Sequence, residues 1–211
     1  MIRNLSELPS SSVLDYDIAI AGGGAAGVTL ALELQSSGLR VGLLEGGGLA
    51  QTALSQQRYQ GEITVKDPLR YPPLDIWRLR FLGGSTNHWE GWARRLEERA
   101  FLPRPGVSED GWPWPRTELD AGYARAHELC ELGKVEYHAE LLCAEAGVPL
   151  PFTATDVLAP KVWRYSAPTR FGVKYRPDLE KGSVDVLLGA NLVGIESEGR
   201  RITQMNVVTD D

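Results

Sequence analysis

The sequence of 211 residues predicts an α/β fold, and two observations near its N-terminus carry this prediction. A short apolar run at 17–21 is followed at once by a glycine cluster, and apolar residues with a helical period follow the glycines. A second short apolar run at 40–45 then ends in an acidic residue. Strand, turn, helix and strand in this order predict two parallel strands joined by a crossover helix.

The glycine cluster has the spacing of a dinucleotide-binding turn. Gly22 permits a tight turn, Gly24 lets the backbone approach a pyrophosphate, and Gly27 lets the helix pack on the strand. The helix begins near Ala25, where free N–H groups and a partial positive charge favour phosphate. Glu45 ends the second strand and is placed to accept hydrogen bonds from ribose hydroxyls, which disfavours NADP. The unit therefore predicts a Rossmann-like domain that binds NAD or FAD.

Composition and charge restrict the class of protein further. Hydrophobic residues make up 43% and charged residues 24%, as in globular domains, and the net charge of -6 argues against nucleic acid as a partner. No apolar run approaches a membrane span, and the polar start lacks the core of a signal peptide, so we expect a cytoplasmic protein. Cys130 and Cys143 lack metal or redox spacing and are expected to be thiols.

Residues 46–80 do not continue the alternation of strand and helix. They predict a long, mostly irregular excursion containing Pro68, Pro72, Pro73, Tyr59, Tyr71 and Trp77. A second glycine cluster ends it, with the sequence Gly83, Gly84, Ser85, Thr86, Asn87, His88 and Trp89. Paired glycines allow close backbone approach, and the hydroxyls and amide that follow can hydrogen-bond phosphate oxygens or a flavin ring edge.

A basic run surrounds the second glycine cluster, and any one of its arginines is a candidate to neutralise a pyrophosphate. The run consists of Arg78, Arg80, Arg94, Arg95, Arg99 and Arg104.

Together the two glycine clusters resemble the FAD-binding motifs of the glucose–methanol–choline (GMC) oxidoreductases. Segments at 111–113, 117–132, 166–172 and 184–195 resemble later parts of the same family, so the resemblance runs from about residue 15 to the end of the chain. It implies that FAD is the cofactor and that hydride passes to flavin N5 from the CH–OH group of an alcohol or a sugar. It also implies that the backbone at Leu192 meets the adenine, and it leaves the electron acceptor open.

His88 is the residue with the sharpest implied role. In the pyranose oxidase-like branch, His-Trp follows the paired glycines after three residues, and that histidine carries the flavin covalently. The spacing of Gly83, Gly84, His88 and Trp89 matches, but Asn87 stands where that branch has threonine. Three interpretations remain open at this point: a non-covalent contact with the flavin ring, a covalent link, and a structural histidine in the core.

The resemblance also implies a domain organisation. Residues 1–110 correspond to the first part of an FAD-binding domain, 111–182 to a partial, inserted substrate or cap region, and 183–211 to an incomplete return to the FAD-binding domain. The family's catalytic histidine lies near the C-terminus, and no segment here matches it, so we expect a C-terminally truncated chain without efficient turnover. We predict no catalytic residue and no metal ligand within the chain. The alternatives are a non-catalytic dinucleotide-binding module and an NAD-dependent dehydrogenase, and the second glycine cluster counts against the dehydrogenase.

Overall fold

The computed structural model describes residues 1–62, 64, 72–106 and 110–210, so Pro68 and Tyr71 of the predicted excursion lie outside the described residues. The strands of the described chain are β1 (Ile2–Asn4), β2 (Ile18–Ala21), β3 (Val41–Glu45), β4 (Trp92–Ala93), β5 (Arg164–Tyr165), β6 (Asp185–Leu188), β7 (Asn191–Glu198) and β8 (Arg201–Val208). Its α-helices are α1 (Ala25–Leu34), α2 (Ala53–Gln57), α3 (Leu74–Trp77), α4 (Asp120–Leu129), α5 (Ala139–Ala146), α6 (Phe171–Lys174) and α7 (Arg176–Lys181).

The chain divides into two compact units. The first unit comprises Met1–Trp89 and Arg170–Asp211, and the second comprises Glu90–Thr169. The second unit thus starts and ends earlier than the region 111–182 that the sequence predicts as an insertion. Pairing explains the boundaries, because the short strands β4 and β5 pair with each other close to the two ends of the second unit.

A parallel sheet in the order β1-β6-β3-β2 forms the centre of the first unit. The βαβ unit appears as predicted, since α1 joins β2 to β3 and contacts both strands. Every residue of β3 is buried because the strand pairs with β2 on one side and with β6 on the other. This position explains the continuous apolar run in the sequence, which is typical of buried parallel strands. The fold is therefore a Rossmann-like α/β fold.

Strand β1 was not predicted, because the first twelve residues are mostly polar. It pairs with β6, where the Arg3 guanidinium donates two hydrogen bonds to the Asp185 carboxylate, at 3.2 and 2.5 Å. The hydroxyl of Tyr16 donates to the same carboxylate at 2.6 Å, and burial raises the pKa of this phenol. The ring of Tyr16 lies over Gly42, where an added Cβ would come within 2.6 Å of it. These contacts attach the N-terminal segment to the sheet.

The antiparallel hairpin of β7 and β8 follows β6, with its turn at Glu198-Gly199-Arg200. Met205 and Val207 pack against the buried cluster of Leu44, Leu187 and Ala190. The hairpin therefore covers the part of the sheet in which β3 and β6 end.

In the second unit, the segment 117–132 contains α4, which a 3₁₀ turn at Arg116–Leu119 precedes. His127 on α4 is buried, and its ring nitrogens lie 3.0 Å from the carbonyl oxygen of Gly133 and 2.8 Å from the hydroxyl of Tyr137. Both ring nitrogens are thus engaged within the unit, as expected of a structural histidine. Within the described residues, no group of three or more His, Cys, Asp and Glu side chains could hold a metal ion, and no helix is long and apolar enough to cross a membrane.

Replacing Gly27 by alanine tests the packing of α1 on β2. An added Cβ would lie 1.9 Å from the carbonyl oxygen of Gly22, so we expect Gly27→Ala to lower the free energy of unfolding by about 1–3 kcal/mol. Gly122 on α4 is the matched control, because no atom lies within 4 Å of its Cβ position. Gly122→Ala should be neutral or stabilising by up to about 1 kcal/mol. Urea unfolding followed by circular dichroism measures both changes, and equal effects would contradict the packing argument.

Candidate functional site

The turn between β2 and α1 has an open surface where a ligand could approach. Gly22 has a φ of +101°, which favours glycine, and its N–H donates to the carbonyl of Leu44 at 2.7 Å. Gly24 caps α1 without a side chain, and nothing lies within 4 Å of its Cβ position. Ala25 is the first residue of α1, whose first N–H groups have no partners within the helix. A pyrophosphate fits this cradle, because the backbone is accessible and the helix N-terminus attracts anions.

Glu45 is buried and connects two glycine-containing loops. Its Oε2 atom accepts a hydrogen bond from the N–H of Gly23 at 2.8 Å, and its Oε1 atom accepts one from the N–H of Gly47 at 2.7 Å. The carboxylate therefore has a structural task that the sequence did not reveal. Each carboxylate oxygen can accept a further hydrogen bond, so contact with ribose hydroxyls stays a prediction.

In the second glycine cluster, two polar side chains hold the turn itself. Gly83 adopts a left-handed conformation with φ +94°, and a 3₁₀ turn follows at Gly84–Asn87. The hydroxyl of Thr86 donates to the carbonyl of Gly83 at 2.6 Å and accepts from the N–H of Phe171 at 3.1 Å. The amide of Asn87 donates to the carbonyls of Leu82 and Gly84, at 3.0 and 2.9 Å. Both side chains, predicted as cofactor contacts, thus already serve the local fold.

Ser85 and His88 behave differently from their neighbours, because both side chains are exposed. The interpretation of His88 as a core histidine is wrong for this reason. The other two interpretations, a non-covalent contact and a covalent link to a flavin, both require an accessible ring and remain predictions.

The structure brings the two glycine clusters into direct backbone contact. The N–H of Gly83 donates to the carbonyl of Gly23 at 2.7 Å. An added Cβ on Gly84 would lie 3.1 Å from the Cα of Gly24, which is closer than nearly all Cβ contacts. Residues some sixty positions apart in sequence therefore form one continuous glycine-lined surface. The exposed residues Ser85 and His88 follow its second glycine pair in the chain.

Two residues of the first unit support this surface, although neither is singled out by the sequence. Arg170 donates from Nη1 to the carbonyls of Thr86 and Trp89, at 2.8 Å each. Gly172 lies so close to the second cluster that an added Cβ would be 2.0 Å from the carbonyl oxygen of Leu82. Both lie in the 166–172 segment, so its family resemblance was the available signal.

The start of β7 lies beside the end of β3. The N–H of Ala190 donates to the carbonyl of Glu45, and the N–H of Gly189 donates to the carbonyl of Gly47, both at 2.9 Å. Leu192 follows two residues later in β7 and is half-buried. The predicted adenine contact at Leu192 is thus close in sequence to the segment that meets Glu45, and the contact itself stays a prediction.

A parallel βαβ unit with a glycine-lined phosphate cradle defines a dinucleotide-binding protein. The family model described as "FAD dependent oxidoreductase" (DAO) matches residues 17–210, so the chain belongs to this family and its cofactor is FAD. This finding counts against the NAD-dependent dehydrogenase.

Comparisons with individual proteins add less. No curated protein sequence matches the chain. Among solved structures, pyridoxine 4-oxidase from Mesorbium loti is similar with 18% identity and a TM-score of 0.46, over 92% of this chain and 46% of that one. The chain thus spans about half the length of this structure, and a likeness at this level carries no argument about activity.

Thr86 and Ser85 allow the structural and exposed positions of the second cluster to be separated. Thr86→Val removes two hydrogen bonds and leaves the N–H of Phe171 without its acceptor, so we expect a loss of about 1–3 kcal/mol in unfolding free energy. Ser85 is exposed and its Oγ accepts a long hydrogen bond, 3.4 Å, from the N–H of Leu79, so Ser85→Ala should change the unfolding free energy by less than about 0.5 kcal/mol. Thermal unfolding of both variants checks this, and a larger loss for Ser85→Ala would contradict the assignment.

Proposed function

We propose that this chain is the FAD-binding part of a GMC-type oxidoreductase that oxidises the CH–OH group of an alcohol or a sugar. The hydrogen bond between Gly23 and Gly83 is the observation that carries the proposal. It joins a pyrophosphate cradle to the Gly-Gly-Ser-Thr-Asn-His-Trp segment, whose resemblance is to the GMC family. When bound, FAD supplies the acceptor for the hydride at flavin N5.

The chain's own residues have distinct tasks in this proposal. The N-terminus of α1 and the open backbone at Gly24 hold the pyrophosphate, since no side chain blocks the approach. Glu45 keeps the turn at Gly23 in place and has remaining lone pairs for the ribose hydroxyls. His88 and Ser85 are the exposed polar residues of the second cluster and are the candidates for contact with the flavin.

A non-catalytic dinucleotide-binding module is the alternative to an oxidoreductase. His127 and His138, the other histidines of the chain, both have contacts within the second unit. His127 is engaged at both ring nitrogens, and Nδ1 of His138 lies 2.7 Å from the carboxylate of Glu136. Oxidation of an alcohol requires a base for the hydroxyl proton, and the substrate assignment in this proposal rests on the second cluster.

An absorption spectrum of the chain, taken after addition of FAD and desalting and again after acid precipitation, tests the cofactor proposal. We expect the flavin spectrum to survive desalting. Colour that stays with the precipitate, and is lost in His88→Ala, would establish a covalent link through His88. Colour that moves to the supernatant would leave a non-covalent contact. A desalted chain without flavin would overturn the proposal that this chain binds FAD by itself.

The donor class is tested by anaerobic mixing of the flavin-loaded protein with alcohols, aldoses and amines in parallel. Slow bleaching of the flavin absorption by an alcohol or an aldose in a single reduction, with amines inactive, is the expected result, because efficient turnover is not expected of this chain. Bleaching by amines alone would contradict the CH–OH assignment and leave the FAD assignment intact.

Replacing Glu45 by glutamine tests the position of the carboxylate between the two loops. Glutamine has a single acceptor oxygen, so one of the two N–H groups, of Gly23 or Gly47, loses its partner. We expect Glu45→Gln to weaken FAD binding at least about 10-fold, which corresponds to about 1.4 kcal/mol. Glu33→Gln on α1 is the control, and titration of flavin fluorescence gives both dissociation constants. Unchanged binding in Glu45→Gln would show that the carboxylate does not organise the site.

A further inference from the structure

Arg80 is a partly buried cation beside the loop that follows Glu45. Its guanidinium lies against the backbone of Gly46, where an added Cβ would come within 2.2 Å of Nη2. Nη2 donates to Oδ1 of Asn191, a buried side chain at the start of β7. The Arg80 Cζ atom lies 5.4 Å from the centre of the Tyr59 ring, within the range of a cation–π contact. Three different segments thus hold the guanidinium in one place.

The backbone of Arg80 is held as firmly as its side chain. Its N–H donates to Oε1 of Gln56, and its carbonyl accepts from the hydroxyl of Ser55, both at 3.1 Å. An added Cβ on Gly47 would lie 2.0 Å from this same carbonyl oxygen. Two residues further on, the N–H of Leu82 donates to the carbonyl of Gly48 at 3.0 Å. The segment from Arg80 to Leu82 therefore lies directly along the loop Gly46–Gly48.

One polar atom in this arrangement has no partner. Nε of Arg80 is buried, and no described residue accepts a hydrogen bond from it. Buried donors without acceptors are rare in folded proteins, and each one calls for an explanation. Here the donor belongs to a cation beside the loop that follows Glu45, the residue to which the proposed function assigns the ribose of FAD. A cation in this place also favours a ligand that carries negative charge.

We propose that Arg80 is a positioning residue for the ADP half of the dinucleotide. By bridging Gly46 and Asn191, it sets the spacing between the end of β3 and the start of β7, the two segments expected to meet ribose and adenine. The inference rests on the proposed FAD-binding function and assigns to Arg80 a role that neither glycine motif implies. Of the arginines in the basic run near the second cluster, Arg80 is the one held against the Glu45 loop.

Binding of ADP and FAD to the full chain tests this proposal, with calorimetry for ADP and flavin fluorescence for FAD. Arg80→Met keeps most of the side-chain length and removes the charge and all donors. We expect this variant to bind ADP and FAD at least about 10-fold more weakly, at a temperature where circular dichroism shows a folded protein. Arg80→Lys keeps the charge without the planar fork, so it should restore binding only in part. Arg176→Met, at an exposed position on α7 where the guanidinium pairs with Glu180, should leave both affinities unchanged.

A double-mutant cycle with Gly46 separates positioning from general stability. Gly46 lacks a left-handed φ, so an alanine at this position conflicts with the guanidinium rather than with its own backbone. Gly46→Ala should weaken ADP binding in the parent and add no further loss in Arg80→Met, because the two changes disturb one contact. Additive losses would overturn the proposal.

The outcomes also separate this proposal from the proposed function. A lower melting temperature with unchanged ADP affinity in Arg80→Met would show a structural role alone and overturn the assignment of Arg80. A parent chain that binds neither ADP nor FAD would overturn the FAD-binding function as well. Parent binding that persists in Arg80→Met would leave that function standing and overturn only the inference.

Discussion

The carbonyl of Gly23 accepts a hydrogen bond from the N–H of Gly83, and the first unit is arranged around this backbone contact. Two loops can come this close only where side chains are absent, as the 3.1 Å spacing between a Cβ on Gly84 and the Cα of Gly24 illustrates. The contact joins the end of β2 to the second cluster. Because Ser85 and His88 follow Gly83 directly in the chain, it also limits how far these exposed residues can lie from the phosphate cradle.

Two charged side chains, the buried Glu45 and the partly buried Arg80, keep this glycine-lined surface in shape. Glycines lower the steric barrier to close approach but add conformational freedom, so the loops need other constraints to adopt one conformation. Glu45 supplies one constraint by accepting from Gly23 and Gly47, and Arg80 supplies another by contacting Gly46 and Asn191. Both side chains act on the backbone of the loops, which leaves the surface over Gly24 open to a ligand.

The polar side chains of the second cluster have different tasks, and this affects how the cofactor would be held. The side chains of Thr86 and Asn87 donate their hydrogen bonds to carbonyls of the turn itself. Arg170, the residue before α6, donates to the carbonyl of Thr86 in the same turn. A rigid turn is the condition for a reproducible contact between His88 and a flavin, since loosely held groups lose binding free energy when they become ordered.

The sequence by itself determined the βαβ unit and the two glycine clusters, because each depends on local period and on residues that permit special backbone conformations. It did not predict β1, because a strand of three residues is too short for an alternating pattern to show. This segment forms a strand because β6 offers an unpaired edge and Asp185 offers a partner for Arg3. Nor could the sequence separate Thr86 and Asn87 from Ser85 and His88, since burial within one turn depends on neighbours such as Phe171, which are distant in sequence. Only the tertiary structure decided that Arg80 is the arginine held beside Glu45, because that choice depends on Asn191 and Gly46 meeting in space.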